Sequence, residues 1–456
     1  MLTRTAWIFC AFFVSVLSVR YDPTWASIDS RPLPAWYDEA KLGIFIHWGV
    51  FAVPSFDYDA EWFWRRWRAD KDPVALDFMK KNYRPDFTYA DFASQFTAEF
   101  FDANQWAEMF KASGAEYIVF VSKHHEGFTN WASNHSFNWN SMDVGPKRDI
   151  VGELSASIKA NTSIHFGVYH NMMEWFNPLY EQDKQNNFTT QNFVKEKTLP
   201  ELYELVNTYK PELIWSDGDD SASSDYWQSK EFIAWLYNDS PVKDTVVVND
   251  RWGDDTHCLH GGYLTCHDRY NPGVLQPRKW ENCLSIDKHS WGYRRTAPFS
   301  DFLSTQKLLA TFVETVSCGG NMLMNVGPTK EGTISPIFEE RLRDVGSWLN
   351  VNGEAIRSSR PWTTQNDTLT KGVWYTKNNS NVYALVLDWP TGSTLSLGAP
   401  ITQPDTTVQL LGYTGNFTWT PRSGQGIDIQ IPNIPISKMP CEWAWAFKLS
   451  GLKNIN

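Results

Sequence analysis

Between residues 40 and 330, short apolar runs rich in β-forming residues recur, and each ends in polar or aromatic side chains. Leu42 to Ile46 leads to His47-Trp48, Tyr117 to Val121 to Lys123-His124-His125-Glu126, and Phe166 to Tyr169 to His170. Leu213 to Trp215 leads to Ser216-Asp217, Val246 to Val248 to Asn249-Asp250-Arg251, and Met322 to Met324 to Asn325. Several of the intervening stretches, among them Asn104 to Ala112 and Leu199 to Tyr209, place apolar residues three and four apart, the spacing of one helix face. Strand and helix in alternation make neighbouring strands parallel, because a parallel pair needs a long crossover. About 300 residues of this pattern favour an α/β fold of the (β/α)8-like barrel type over an open doubly wound sheet. Both architectures bind ligands at the carboxyl ends of their strands. The polar residues after each apolar run are therefore the site candidates.

A chain of 456 residues exceeds what one hydrophobic core usually holds, roughly 250 to 300. A boundary is expected between residues 350 and 365, where Asn352-Gly353 and Arg360-Pro361 follow a helical stretch ending at Trp348-Leu349. Beyond it the apolar period becomes two, in Val382 to Leu387, Ile427 to Ile431 and Trp443 to Phe447. The expected layout is a catalytic domain over residues 19–355 followed by a C-terminal antiparallel β-sandwich over 360–456. Residues 1–18 read as a signal peptide, since Arg4 precedes an apolar run from Trp7 to Val16 that is too short to span a bilayer. No other segment is long enough for a membrane span.

Seven Asn-x-Ser/Thr sequons, at Asn134, Asn161, Asn187, Asn238, Asn366, Asn378 and Asn416, suit a lysosomal or secreted glycoprotein, although Pro241 weighs against use of Asn238. A net charge of −11 with no clustered Lys and Arg argues against a nucleic-acid partner. Loss of Cys10 with the signal leaves five cysteines, an odd number, of which Cys258 and Cys266 are close enough in sequence to bridge.

Carboxylates near strand ends are the first chemical candidates: Asp217, Asp219, Asp220, Asp250, Asp268 and Glu281, with Glu61 in an aromatic stretch upstream. Two carboxyl groups flanking a scissile bond are what glycoside hydrolysis needs. Asp217 follows an unbroken apolar run and is flanked by Trp215 and Gly218, which would aim it into a barrel mouth; a helix cap or turn is the plainer role for such an Asp. An acid partner needs a raised pKa, and Trp280 beside Glu281 could supply it by desolvation, whereas pairing with Lys279 would make Glu281 ordinary. His47, His124, His125 and His170 can hydrogen-bond sugar hydroxyls or bind a metal, but no His-x-His or His-x-x-x-His pair marks them as ligands, so no metal and no cofactor is expected. Of the 24 tryptophans, Trp62, Trp64, Trp252 and Trp291 stand where an aromatic face could pack on a sugar ring.

Seven stretches, in order, resemble glycoside hydrolase family 29, and within it the animal tissue-type α-L-fucosidases: Gly43 to Gly49, Glu61 to Trp64, Lys123 to Phe128, Trp215 to Gly218, Asn249 to Gly253, Lys279 to Cys283 and Asn325 to Pro328. The resemblance runs from about Arg31 to Leu452. It implies a barrel followed by a β-sandwich, and retaining hydrolysis of terminal α-L-fucose from a fucosylated glycan by double displacement. It carries Asp217 over as the nucleophile, and His47, Glu61, Trp62, His124, His125, Tyr169, Trp215, Arg251 and Trp291 as the residues that hold the sugar. For the acid/base it offers two positions, Asp268 and Glu281, of which Asp268 is preferred because it follows Tyr263-Leu264-Thr265-Cys266, the expected sixth strand in chain order. The resemblance also implies a homotetramer, the assembly common among relatives. Asp219-Asp220-Ser221 departs from close members, which carry an aromatic residue there; adjacent acids also occur in substrate-assisted hexosaminidases, an alternative class, and a catalytically inactive fucose-binding lectin on the same fold is another.

Overall fold

The computed structural model describes residues 19–455, so the expected signal peptide and Cys10 lie outside the described residues. Seven parallel strands form one sheet: β1 (Leu42–Ile46), β2 (Tyr117–Lys123), β3 (His165–Asn171), β4 (Leu213–Asp217), β5 (Val247–Val248), β6 (Trp280–Ser285) and β7 (Gly320–Val326). Their order is β5-β4-β3-β2-β1-β7-β6, that of a curled sheet whose first and last members are consecutive in the chain.

Each strand is buried on both faces, and its alternation sorts side chains into two cores. Phe45, Val119, Val121, Tyr169, Leu213, Trp215, Val247 and Leu323 pack together inside the curl. Ile44, Ile46, Ile118, Phe120, Val168, Ile214 and Met324 face outward against the surrounding helices. The helices form where the spacing predicts them. Ala103–Ala112 is capped by Asp102, which accepts from the amides of Asn104 and Gln105, and buries Trp106, Ala107, Met109 and Phe110. Leu199–Tyr209 buries Leu202, Leu205 and Val206.

The eighth stave of the barrel is irregular. Residues 262–265 run between β5 and β6: the amides of Gly262 and Tyr263 donate to the Val248 carbonyl, the Leu264 amide to the Lys279 carbonyl, and the Glu281 amide to the Leu264 carbonyl. A single parallel bridge, Leu264 to Trp280, is all the ladder it forms. The Tyr263 to Cys266 strand of the sequence pattern is thus a two-sided backbone graft, and it lies within the segment that the Cys258–Cys266 disulfide closes. Gly261 enters this stave at φ +104°, and a Cβ there would stand 2.3 Å from the Asn249 carbonyl oxygen.

After the helix Pro336–Asn352 the chain becomes antiparallel β: a five-stranded and a three-stranded sheet enclose a second core of Val373, Tyr375, Val382, Leu395, Ile427, Ile429 and Phe447. The alternating run from Trp443 enters its strand only at Trp445, because Trp443 itself sits at φ +66° in a turn. Among the described residues no helix is long and apolar enough to cross a membrane.

Replacing Gly261 by Ala forces a side chain against backbone in a left-handed conformation, a strain on the order of 1–3 kcal/mol. Gly261→Ala is expected to lower Tm by several degrees in scanning calorimetry; an unchanged Tm would mean that the stave does not need its glycine.

Candidate active site

A cavity of about 750 Å³ opens at the carboxyl ends of the strands, and Asp217, the last residue of β4, lies in its wall. Alternation along β4 explains the aim. Trp215 points into the barrel, whereas Ser216 points away and trades hydrogen bonds with the Asn249 side chain, locking the end of the strand to the chain after β5. Asp217 then faces inward again, with 21% of its side chain exposed.

Both oxygens of that carboxylate are engaged. Oδ2 accepts from the Tyr169 hydroxyl at 2.8 Å, and Oδ1 from Nη1 of Arg251 at 3.0 Å. The same guanidinium donates through Nη2 to Oδ1 of Asp268 at 2.7 Å and through Nε to the Thr265 hydroxyl at 3.1 Å, and it lies 4.5 Å above the Trp215 ring. Burial pushes the Asp217 carboxyl up, but Arg251, His125 and the Tyr169 hydroxyl outweigh it and hold the group down at about 2. Asp217 is therefore an anion poised in a largely water-shielded wall. Asp268 is different in kind: half of its side chain is exposed at the cavity's edge.

The opposite wall is imidazole and indole. Nδ1 of His47 meets Oδ1 of Asn325 at 2.7 Å, and the Asn325 amide nitrogen is spent on the Trp291 carbonyl and the Ser285 hydroxyl. That fixes the Asn325 oxygen toward His47, so Nδ1 carries the proton and Nε2 is an acceptor. Burial draws His47, His124 and His125 down to about 3 each, so all three are neutral. His125 stacks on Trp175 at 4.8 Å and meets the edge of Trp62 at 5.0 Å, while Trp291 covers His47 at 5.2 Å. Neutral rings that can donate or accept, beside flat apolar faces, suit a polyhydroxylated ring with one apolar side.

The structure thus brings together in one cavity His47, Trp62, His124, His125, Tyr169, Trp215, Asp217, Arg251, Asp268 and Trp291. It does not bring Glu281 there. That residue sits at the amino end of β6, deep in the barrel, and accepts from the hydroxyls of Tyr37 and Tyr117 at 2.8 and 2.6 Å and from the Trp215 indole at 2.9 Å. Its neighbour Trp280 faces the other side of the strand and donates to the Cys318 carbonyl, so it supplies no pocket for Glu281, and Lys279 turns to Asp38. Glu61 also lies behind the lining. Its Oε2 gathers the Ser290 hydroxyl and the amides of Trp291 and Gly292, so it shapes the loop that carries Trp291, and burial pushes it up to about 7.

His170 faces away from the cavity, toward the buried Lys123, Lys197 and Glu201 network, and Trp252 is core. Trp64 stacks on Tyr89 behind the lining. Asp250 accepts from the amides of Cys258, Thr265 and Cys266 and is a loop anchor. With Cys258 and Cys266 it forms the one group of close potential metal ligands among the described residues, but the two sulfurs are bonded to each other. Asp220 reaches the cavity, whereas Asp219 is buried beneath it.

Sequence reasoning missed Trp175, Phe176 and Tyr180, which extend the cavity outward from the segment after β3. Following the strand-end rule a few residues past His170 would have reached the first two. It also missed His257, whose Nδ1 faces the Cys266 carbonyl at 3.2 Å and whose Nε2 faces Oδ2 of Asp219 at 3.1 Å. Nothing in the local sequence marks that residue.

A profile of the α-L-fucosidase family matches residues 10–354, and one of the α-L-fucosidase C-terminal domain matches residues 365–450. An α-L-fucosidase of Branchiostoma floridae is 59% identical over 95% of this chain and 96% of its own, and the human tissue α-L-fucosidase 54% identical over 95% and 92%. The structure of a Thermotoga maritima α-fucosidase in complex with fucose superimposes with a TM-score of 0.81 at 30% identity, covering 94% of this chain and all of that one. A Bacteroides thetaiotaomicron GH29 α-L-fucosidase, solved as a trapped covalent intermediate, gives 0.75 at 25% identity, covering 91% and 95%. With these matches over nearly its whole length, the chain belongs to the α-L-fucosidase family, glycoside hydrolase family 29.

Proposed function

We propose that this protein is a retaining exo-α-L-fucosidase in which Asp217 is the nucleophile and Asp268 the acid/base. The observation that carries the assignment is the Arg251 guanidinium, which holds one oxygen of each carboxylate in the same cavity wall. The carboxylate of Asp217 attacks the anomeric carbon as Asp268 protonates the departing glycosidic oxygen, giving a fucosyl ester of inverted configuration. Asp268, now a base, takes a proton from water, which attacks the same carbon and restores the α configuration while Asp217 leaves as carboxylate. Tyr169 and Arg251 steady the carboxylate that must leave, and His47, His124, His125, Trp62 and Trp291 hold the ring. In this reading Glu281 holds up the floor of the site through Trp215 and transfers no proton.

The natural substrate in this reading is terminal fucose on glycoproteins and glycolipids, met in the lysosome or outside the cell. Five of the sequon asparagines, Asn134, Asn161, Asn187, Asn366 and Asn416, are exposed, which supports a glycoprotein of the secretory route. The domain limits of 19–355 and 360–456, and a homotetrameric assembly, belong to the same proposal. The substrate-assisted alternative loses its motif, because Asp219 is buried under Asp220 instead of standing beside it in the cavity.

A panel of nitrophenyl glycosides tests the reaction. Cleavage of the α-L-fucoside is expected, and cleavage of the β-N-acetylglucosaminide without it would overturn the assignment. Asp217→Asn should lower kcat/KM on the order of 10³-fold or more. Azide then separates the carboxylates. With Asp268→Ala, azide replaces water on the ester and should restore turnover with α-fucosyl azide as product. With Asp217→Gly, azide attacks the substrate itself and should give the β anomer. Glu281→Ala should lower Tm and show no azide rescue; rescue there, and none for Asp268→Ala, would exchange their roles.

The pH profile follows from the shifts. Asp217 at about 2 remains ionised, and His47, His124 and His125 at about 3 remain neutral, at any pH above about 4. The value of kcat/KM is expected not to fall from pH 5.5 down to about 4, since none of these groups takes up a proton in that range. An acid limb with an apparent pKa above about 4.5 would contradict this electrostatic account.

A further inference from the structure

His257 is half-buried in the cavity wall with both ring nitrogens facing acceptors, a backbone carbonyl and a carboxylate. A neutral imidazole can donate from one nitrogen only, so with Asp219 ionised both contacts are hydrogen bonds only if the ring is a cation. The contact with Asp219, larger than the cost of burial, pushes His257 up to about 9. Asp219 is wholly buried, its carboxylate also accepts from the Gly253 amide, and its backbone carbonyl accepts from the Trp227 indole, so it is a fixed post. The remaining charged group beside the ring is Arg251, whose repulsion opposes the cation and is outweighed.

The two ends of this contact are placed alike. Asp219 follows Asp217 by two residues, and Cys266 precedes Asp268 by two. The imidazolium therefore ties the β4 loop to the loop that ends in Asp268, behind the Arg251 fork that joins the same two carboxylates in front. The tie has work to do at one end only. Asp217 is set by its strand, by Tyr169 and by Arg251, whereas Asp268 sits half-exposed on the loop that follows a stave with a single ladder bridge, and Arg251 is the side-chain partner of its carboxylate among the described residues.

We propose that His257, bound to Asp219, is a positioning residue for the proton donor: it sets the backbone at Cys266 and so holds Asp268 at the distance from the glycosidic oxygen that proton transfer requires. This rests on the reading of Asp268 as the acid/base. A proton donor displaced by a fraction of an ångström loses rate steeply, but only where the leaving group needs the proton.

The test is leaving-group dependence in the full-length enzyme. Kinetics of His257→Gln, Asp219→Asn and Asp268→Ala are compared on 2,4-dinitrophenyl α-L-fucoside, whose phenolate departs unprotonated, and on a fucosyl disaccharide, whose alcohol cannot. His257→Gln and Asp219→Asn are each expected to lower kcat/KM on the disaccharide at least about five-fold, and on the dinitrophenyl substrate less than about two-fold. The double variant should lose no more than either single one, because one tie is broken in each. Equal losses on both substrates by His257→Gln and by Asp219→Asn, or no loss on either, would overturn the proposal. If Asp268→Ala itself shows no leaving-group dependence, the acid/base reading falls and takes the tie's role with it. If Asp268→Ala shows it and His257→Gln does not, the tie alone is refuted. Asp219→Asn keeps the side-chain shape, so it reports even if His257→Gln folds poorly.

Discussion

One guanidinium shared between two carboxylates is the interaction on which the rest of this protein is arranged. Arg251 has 8% of its side chain exposed, and a cation held so far from water is stable only with good partners. Asp217, Asp268 and Thr265 provide them, and the Trp215 ring closes the remaining face. In the proposed mechanism the arrangement serves both steps. It keeps Asp217 an anion in a site where burial alone would protonate it, and it places beside it a second carboxyl that stays in touch with water.

Holding that fork in place shapes the fold around it. Asp250 accepts three backbone amides and the Thr265 hydroxyl, and so fixes the loop on which Thr265 and Asp268 ride. The Cys258–Cys266 bridge shortens the same loop, and Gly261 lets the chain enter the stave without a clash. The barrel gives up a regular strand here. A full eighth strand would carry the ladder on past Thr265, whereas the short stave frees the chain to turn toward the cavity directly after that residue.

Much of this was legible in the sequence, because the periodicities that place strands are those that bury them. Six apolar runs are strands, and the polar residues after them converge on one cavity. What the pattern did not carry was height along a strand and the face that a residue takes. Glu281 follows Trp280 in a strand-like run, yet it lies at the strand's amino end, on the far side from the cavity, with the indole turned away. His170 and Trp252 also follow apolar runs, but alternation and loop geometry turn them into the core. His257 had no signal, since its importance comes from two loops meeting in space, 38 residues apart at Asp219 and 9 at Cys266.

In the proposed mechanism Asp217 forms the bond to the sugar. Incubation with 2-fluoro-fucosyl fluoride, which forms the ester readily and hydrolyses it slowly, followed by proteolysis and mass spectrometry, reads the labelled residue directly. One 2-fluoro-fucosyl group per chain is expected on the peptide containing Trp215-Ser216-Asp217-Gly218, fragmenting to Asp217. A label on Asp268, Glu61 or Glu281, or turnover of the reagent with no labelled peptide, would contradict it.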